Sequence, residues 1–188
     1  MKIILILLVL AWNSFAFQVD NKVILETFIQ NALDEQVQFS DIKCGTKYDL
    51  AIEAQKEKIE PGLYERYLQI QSTEPVRQRS LVTESGYFEL NWDDDGTHGV
   101  PQEDISGNGY PDFIDSAAVI LDHVYTIEVQ QLGYAPPPGE DGNPLIPYPI
   151  YFTNQYAYGV TRKGNLITAN LPDTSYTSYI ELDNDFSE

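Results

Sequence analysis

The sequence has little positive charge. It carries 11 lysine and arginine residues against 29 aspartate and glutamate residues, which gives a formal net charge of −18. Because no basic stripe could neutralise phosphates, a nucleic-acid partner is excluded. The 13 tyrosines and the stretches of alternating apolar and polar residues are typical of a folded domain and not of an acidic disordered tail. The excess carboxylates therefore serve solubility or the binding of divalent cations.

Several catalytic signatures are missing as well. His98 and His123 are the only histidines, and they do not form the His-Glu-x-x-His pair of a zinc protease helix. The chain also lacks a Gly-x-Ser-x-Gly elbow, a phosphate-cradling loop and a glycine-rich dinucleotide turn. His123 falls within a predicted helix, where we expect a packed or surface role. No catalytic residue is assigned in this chain.

Long apolar runs are scarce, and the one that exists lies at the amino terminus. A lysine, an apolar run from Ile3 to Trp12 and small residues up to Ala16 predict a signal peptide over residues 1–16, cleaved after Ala16. A membrane anchor is the alternative, but a bilayer span takes roughly 20 apolar residues. We expect a secreted or extracellular protein, with the periplasm as the other compartment and no membrane contact after signal cleavage.

Cys44 is the only cysteine. In an exported chain an unpaired cysteine indicates a free buried thiol, an intermolecular disulfide or a disulfide partner outside the given sequence. The sequence stops directly after a strand-like stretch, so we also expect the chain to be a fragment of a longer protein.

The periodicity of apolar residues divides the chain into two parts. The pattern in residues 17–80 predicts a helical amino-terminal segment or pro-region. It contains one helix over residues 20–35 and two shorter helices separated at Pro61-Gly62. Residues 72–85 are polar and are expected to form a linker. Residues 81–188 predict an incomplete α+β domain.

Within that domain we predict three strands and one long helix. The strands are "YFELNW", "YPIYF" and "TSYIELD", and the last two are joined by a connection rich in tyrosine and glycine. The helix runs from Asp112 to about Leu132 and ends at Gly133. Its expected buried residues are Phe113, Ala117, Ile120, Leu121, Val124 and Ile127.

Residues 104–115, "DISGNGYPDFID", match a twelve-residue calcium loop. Such a loop offers side-chain oxygens at positions 1, 3 and 5, a backbone carbonyl at 7, an often water-mediated ligand at 9 and an acid at 12, with glycine at 6. The corresponding groups are Asp104, Ser106, Asn108, the carbonyl of Tyr110, Asp112 and Asp115, with Gly109 at the turn. A single loop of this kind predicts modest affinity and a structural ion.

Two features depart from a full EF-hand, and two alternatives remain open. Asp115 is shorter than the usual closing glutamate, and Pro101 precedes the loop where a helix would enter. The alternative is a polar turn whose side chains cap the following helix. The run Asp93 to Asp95 could hold a second ion, although a solvated acidic turn is the simpler interpretation.

Eight segments occur in the order typical of one family. They are "KCGT", "GYFELNW", "GVPQED", "DISGNGYPDFID", "QLGYAPPP", "YPIYF", "YAYGVT" and "SYIELDNDF", and they cover residues 43 to 188. Together they resemble the amino-terminal portion of secreted bacterial zinc metalloproteases of zincin type. The resemblance implies a peptide or protein substrate, and a zinc ion bound in the full-length parent by a His-Glu-x-x-His helix shortly after "LDND". This chain ends at Glu188, before that helix.

The resemblance carries two further implications. A strand near the active-site helix of a zincin can pair with the substrate backbone, and "TSYIELD" is the candidate. "KCGT" is similar to cysteine-glycine motifs in protease pro-segments, so Cys44 is a candidate latency switch that caps the zinc, as an alternative to a disulfide half or a structural thiol. The competing hypothesis for the chain is a non-catalytic, calcium-stabilised extracellular recognition or adhesion module.

Overall fold

The computed structural model describes residues 21–33, 44–71, 74–155, 157–167 and 175–186. The helices are α1 (Asn21–Leu33), α2 (Thr46–Ala54), α3 (Pro61–Gln71) and α4 (Asp112–Tyr125), with a 3₁₀ turn at Lys56–Lys58 and a π-helical turn at Thr126–Gln131. The strands are β1 (Arg79–Val82), β2 (Phe88–Trp92), β3 (Tyr148–Thr153), β4 (Gly159–Leu166) and β5 (Tyr176–Asp183). The predicted signal peptide lies outside the described residues.

The strands form one five-stranded sheet in the order β1-β2-β3-β5-β4. The central strands β2, β3 and β5 are parallel, and the edge strands β1 and β4 run antiparallel to their neighbours. Helix α4 connects β2 to β3, as parallel neighbours require a crossover. The predicted α+β class is confirmed.

One face of the sheet packs against α4. Strand β2 alternates as predicted, since Phe88, Leu90 and Trp92 are buried while the two residues between them are partly exposed. Its buried side chains form one core with Ile114 of α4 and with alternate residues of β3 (Tyr148, Ile150 and Phe152). This packing orients the start of α4, and with it the loop that precedes the helix.

The predicted buried face of α4 is only partly right. Phe113, Ala117 and Leu121 pack against the core. Ile120 and Val124, in contrast, are 61% and 38% exposed, so their predicted burial is wrong in this chain. At 100° per residue, these two side chains lie on the flank of the helix that also carries Phe113, and no described element covers that flank.

The amino-terminal helices cover the opposite face of the sheet. Strand residues alternate between faces, so Tyr179 and Glu181 point away from α4, and both are buried. Helices α1, α2 and α3 share a second core with Val160 of β4. Helix α3 begins at Pro61, as its fixed φ favours. In the described ranges, no helix is long and apolar enough to cross a bilayer.

Both edge strands were missed in the sequence. Residues 79–82 of the expected linker form β1, and the connection between "YPIYF" and "TSYIELD" contains β4. The sequences of these strands do not alternate clearly between apolar and polar residues, because edge strands are commonly polar. In β4 the inward-pointing residues are Val160 and Arg162, and Arg162 is 4% exposed and neutralised by carboxylates.

Candidate functional site

The six predicted calcium ligands belong to one hydrogen-bonded loop. Asp104 Oδ1 accepts hydrogen bonds from Ser106 Oγ (3.1 Å) and from the amides of Gly107 (2.7 Å) and Asn108 (3.2 Å). Its Oδ2 accepts one from the Gly109 amide at 2.9 Å. Gly107 and Gly109 have φ values of 68° and 87°, which only glycine adopts readily. The chain therefore wraps around the first predicted ligand.

The later ligand positions close the same loop. Asp112 accepts hydrogen bonds from the amides of Ile105 (2.9 Å) and Ser106 (3.4 Å). Asn108 Nδ2 donates to Asp115 Oδ2 at 2.8 Å, which links positions 5 and 12. These carboxylates point back into the loop and do not cap α4, since the helix begins without a side-chain cap. The loop is thus a hydrogen-bonded polar turn whose side chains do not cap α4.

The electrostatics of the loop favour a charged carboxylate at its first position. The Gly109 amide, followed by Ser106 and the amides of Gly107 and Asn108, holds the pKa of Asp104 below its ordinary value. An all-oxygen donor set is what calcium requires. Over the described residues no three Asp, Glu, His or Cys side chains are grouped as a preformed metal site. The calcium assignment therefore stays a prediction.

Arg79 of β1 attaches the loop to the sheet. Its Nη2 donates to the Gly109 carbonyl at 2.9 Å, and its guanidinium lies 5.2 Å and 5.5 Å from the ring centroids of Trp92 and Tyr110. The Tyr110 amide in turn donates to Asn108 Oδ1 at 2.8 Å. The loop is therefore fixed at the corner between the sheet and α4, which suits a structural ion.

The acidic run Asp93 to Asp95 is engaged by protein donors. Asp93 accepts from the Gln78 amide at 2.8 Å, and its carboxylate lies 3.7 Å from Arg77 Nε. Asp94 accepts from Trp92 Nε1 at 3.2 Å. These contacts use oxygens that a second ion would need.

The two histidines lie in different surroundings. His98 Nδ1 accepts the Asn154 amide at 3.1 Å and lies 2.9 Å from Thr153 Oγ1, at the carboxyl end of β3. His123 is exposed on α4. Neither forms the zinc-binding pair of a helix.

Strand β5 cannot be the strand that pairs with a substrate. It is hydrogen-bonded to β3 on one side and to β4 on the other, so the assignment of this role to "TSYIELD" is wrong. The edge strand is β4, and part of its outer edge is already occupied. The Gly45 amide donates to the Gly159 carbonyl at 2.9 Å, and the Thr161 amide donates to Thr46 Oγ1 at 2.8 Å. Cys44 adjoins this contact and is exposed, so the buried-thiol alternative is wrong.

A cleft between the amino-terminal helices and the sheet was not predicted. We call it the sheet–helix cleft, and its volume is about 850 Å³. Its walls come from α2, α3, β2, β3, β4 and β5, including Leu50, Glu89, Tyr151 and Tyr179. The sequence carries no local signal for it, because these residues are brought together only by the packing of α2 and α3 on the sheet.

The fold and both sites were compared with known proteins. No family model, curated protein or solved structure matches this chain.

Proposed function

We propose that this chain is the amino-terminal portion of a secreted, zincin-type zinc metalloprotease, with residues 104–115 as a structural calcium loop. The ordered series of motifs supports the family. The proposal places no catalytic residue in this chain. When zinc is bound in the parent, it supplies a Lewis acid and an activated water. In this proposal the calcium loop fixes the start of α4.

The observation that carries the proposal is an apolar trough beside α4 that none of the described residues covers. The exposed flank of α4, with Ile120 and Val124, forms one wall. Ile180 and Leu182, on the α4-facing side of β5, are only partly buried, whereas Tyr179 and Glu181 on the other side are buried. Apolar residues at this spacing are typical of a surface that packs against another helix.

The position of the trough agrees with the family resemblance. The helix that holds zinc is expected shortly after "LDND", at the end of β5. Phe186 lies beside that end, 42% exposed, with its ring centroid 5.9 Å from that of Phe113. A helix following β5 would lie against Ile120, Val124 and Ile180 without a long connection. This placement supports the zinc helix as the occupant of the trough.

The direct test is to express the protein with its downstream coding sequence. We expect a His-Glu-x-x-His motif within a few tens of codons after Glu188. The extended protein should bind about one zinc ion per chain, measured by elemental analysis, and should hydrolyse unfolded casein once the amino-terminal segment has been cleaved off. Replacing the motif glutamate by glutamine should abolish hydrolysis while zinc stays bound. A stop codon, or an extended protein without zinc, would reject the protease and favour the non-catalytic extracellular module.

A second test asks whether the downstream helix fills the trough. Ile120→Ser should change the free energy of unfolding of the 188-residue chain by less than about 0.5 kcal/mol, because the side chain is exposed there. In the extended protein the same change should cost about 1–3 kcal/mol, since the side chain becomes buried. Urea unfolding of both proteins measures the difference.

The matched control is Ile24→Ser on α1, where isoleucine is 55% exposed. It should have the same small effect in both lengths of protein. If Ile120→Ser also costs equally little in both, the trough is not the docking surface of the downstream chain.

We also propose that residues 17–80 form a pro-region of the protease. Gly45 and Thr46 hydrogen-bond to outward-facing backbone groups of β4, the groups that an extended substrate would use. Cys44 lies next to this contact and is exposed. Its role as a latency switch stays a prediction.

A further inference from the structure

The sheet–helix cleft lies on the face of the sheet away from α4, so it is separate from the trough and from the calcium loop. One wall carries Leu50 of α2 and Leu68 of α3, which are 67% and 43% exposed. The opposite wall carries Pro147 and Pro149. A volume of about 850 Å³ lies within the range of ligand-binding pockets. The cleft therefore offers apolar surface to an elongated ligand.

Two tyrosines form the floor of the cleft. The rings of Tyr151 and Tyr179 meet edge to face, with centroids 5.5 Å apart. The Tyr151 hydroxyl donates a hydrogen bond to the Glu74 carboxylate. Burial, followed by the neighbouring carboxylates, raises the pKa of both phenols, so both stay neutral. Neutral aromatic rings beside carboxylates are the surroundings that cations favour.

The charge of the cleft is strongly negative. Its lining contains the carboxylates Asp49, Glu53, Glu74, Glu89 and Glu140, and one cation, Lys163. Two of the carboxylates have cationic partners, since Asp49 contacts Arg162 at 3.0 Å and Glu53 contacts Lys56 at 2.9 Å. Glu74 and Glu89 have no ion-pair partner among the described residues, and both lie near Tyr151.

We infer that the sheet–helix cleft binds an extended peptide through a lysine or arginine side chain, whose charged end lies between Glu74 and Glu89 at Tyr151. The apolar stem of such a side chain matches the apolar part of the cleft lining, and its charge complements the carboxylates of Glu74 and Glu89. Anionic and purely apolar ligands leave these carboxylates uncompensated. The inference does not depend on the protease proposal.

The test uses residues 17–188 and two synthetic peptides, Ala-Arg-Ala-Arg-Ala and Ala-Glu-Ala-Glu-Ala. Isothermal titration should detect saturable binding of the arginine peptide and none of the glutamate peptide. Glu89→Gln should weaken binding of the arginine peptide by about two- to fivefold, the size of one lost charged contact. Glu74→Gln should weaken it similarly and provides a second variant if Glu89→Gln proves unstable.

The control is Glu65→Gln, which removes one exposed carboxylate from α3 outside the cleft. It should leave the affinity unchanged. If Glu65→Gln weakens binding as much as Glu89→Gln, the peptide is attracted only by the overall acidity of the protein, and the site is rejected. Absence of binding at millimolar peptide, or equal binding of the two peptides, rejects it as well.

Discussion

Replacing Arg162 by alanine is expected to lower the free energy of unfolding by about 3–5 kcal/mol, the cost of breaking a buried ion pair. The Arg162 side chain is 5% exposed and contacts Glu181 at 2.9 Å and Asp49 at 3.0 Å. The substitution leaves two carboxylates, 12% and 10% exposed, without their cation. Because Asp49 belongs to α2 and Glu181 to β5, the loss should also loosen the amino-terminal helices from the sheet.

The loss should be largest at neutral pH. Desolvation raises the pKa of Asp49 above its ordinary value, and Arg162 is the strongest opposing influence. A raised pKa means that protonated Asp49 favours the folded state at low pH and that this contribution disappears as the pH rises. Without Arg162 the pKa of Asp49 rises further. The variant's free energy of unfolding should therefore approach that of the wild type as the pH falls and Asp49 becomes protonated.

Urea unfolding at neutral and acidic pH measures both effects. The matched control is Arg66→Ala, which removes an exposed arginine from α3 and should cost less than about 0.5 kcal/mol. A loss below about 1 kcal/mol for Arg162→Ala would show that solvent reaches the two carboxylates and that the ion pairs hold the helices only weakly.

Calcium is expected to raise the melting temperature by about 5–10 °C when its concentration is about 100-fold above the dissociation constant. At that ratio binding adds about 2.7 kcal/mol to the folded state. The physical reason is that calcium would bind the Asp104, Asp112 and Asp115 carboxylates in place of the hydrogen bonds that they accept within the loop. Scanning calorimetry in calcium and in a chelator measures the shift.

The double variant Asp104→Ala with Asn108→Ala should abolish the shift, because it removes ligand positions 1 and 5. Asp141→Asn is the control, since that carboxylate closes a separate exposed turn with Asn143. It should leave the calcium response intact. If millimolar calcium moves neither the wild type nor the control, residues 104–115 are a hydrogen-bonded turn without a metal.

The sequence predicts those parts of the fold in which one chain segment carries its own signal. Strand β2 is evident because Phe88, Leu90 and Trp92 alternate with polar residues, and α4 is evident because its apolar residues recur at helical spacing. The calcium-type loop is predictable for the same reason. All of its proposed ligands lie within twelve consecutive residues, and its two glycines mark the turn.

The remaining features depend on contacts between distant segments. Strand β4 carries a charged residue, Arg162, on its inward face beside Val160, and Asp49 and Glu181 from other segments stabilise that charge. Nothing within residues 159–166 indicates that partnership. Ile120 looks like a core residue in the helical pattern, yet its exposure depends on which elements surround α4. The sheet–helix cleft likewise has no sequence signal, because its carboxylates come from separate helices and strands.

The contact of Gly45 and Thr46 with β4 also bears on how the protein behaves at high concentration. An uncovered edge strand presents unpaired amides and carbonyls that can recruit a strand from another molecule and start aggregation. The two hydrogen bonds to Gly159 and Thr161 occupy the first part of the outer edge of β4. The amino-terminal segment therefore protects part of the sheet edge from pairing with another molecule. Removing this segment should increase self-association of the protein.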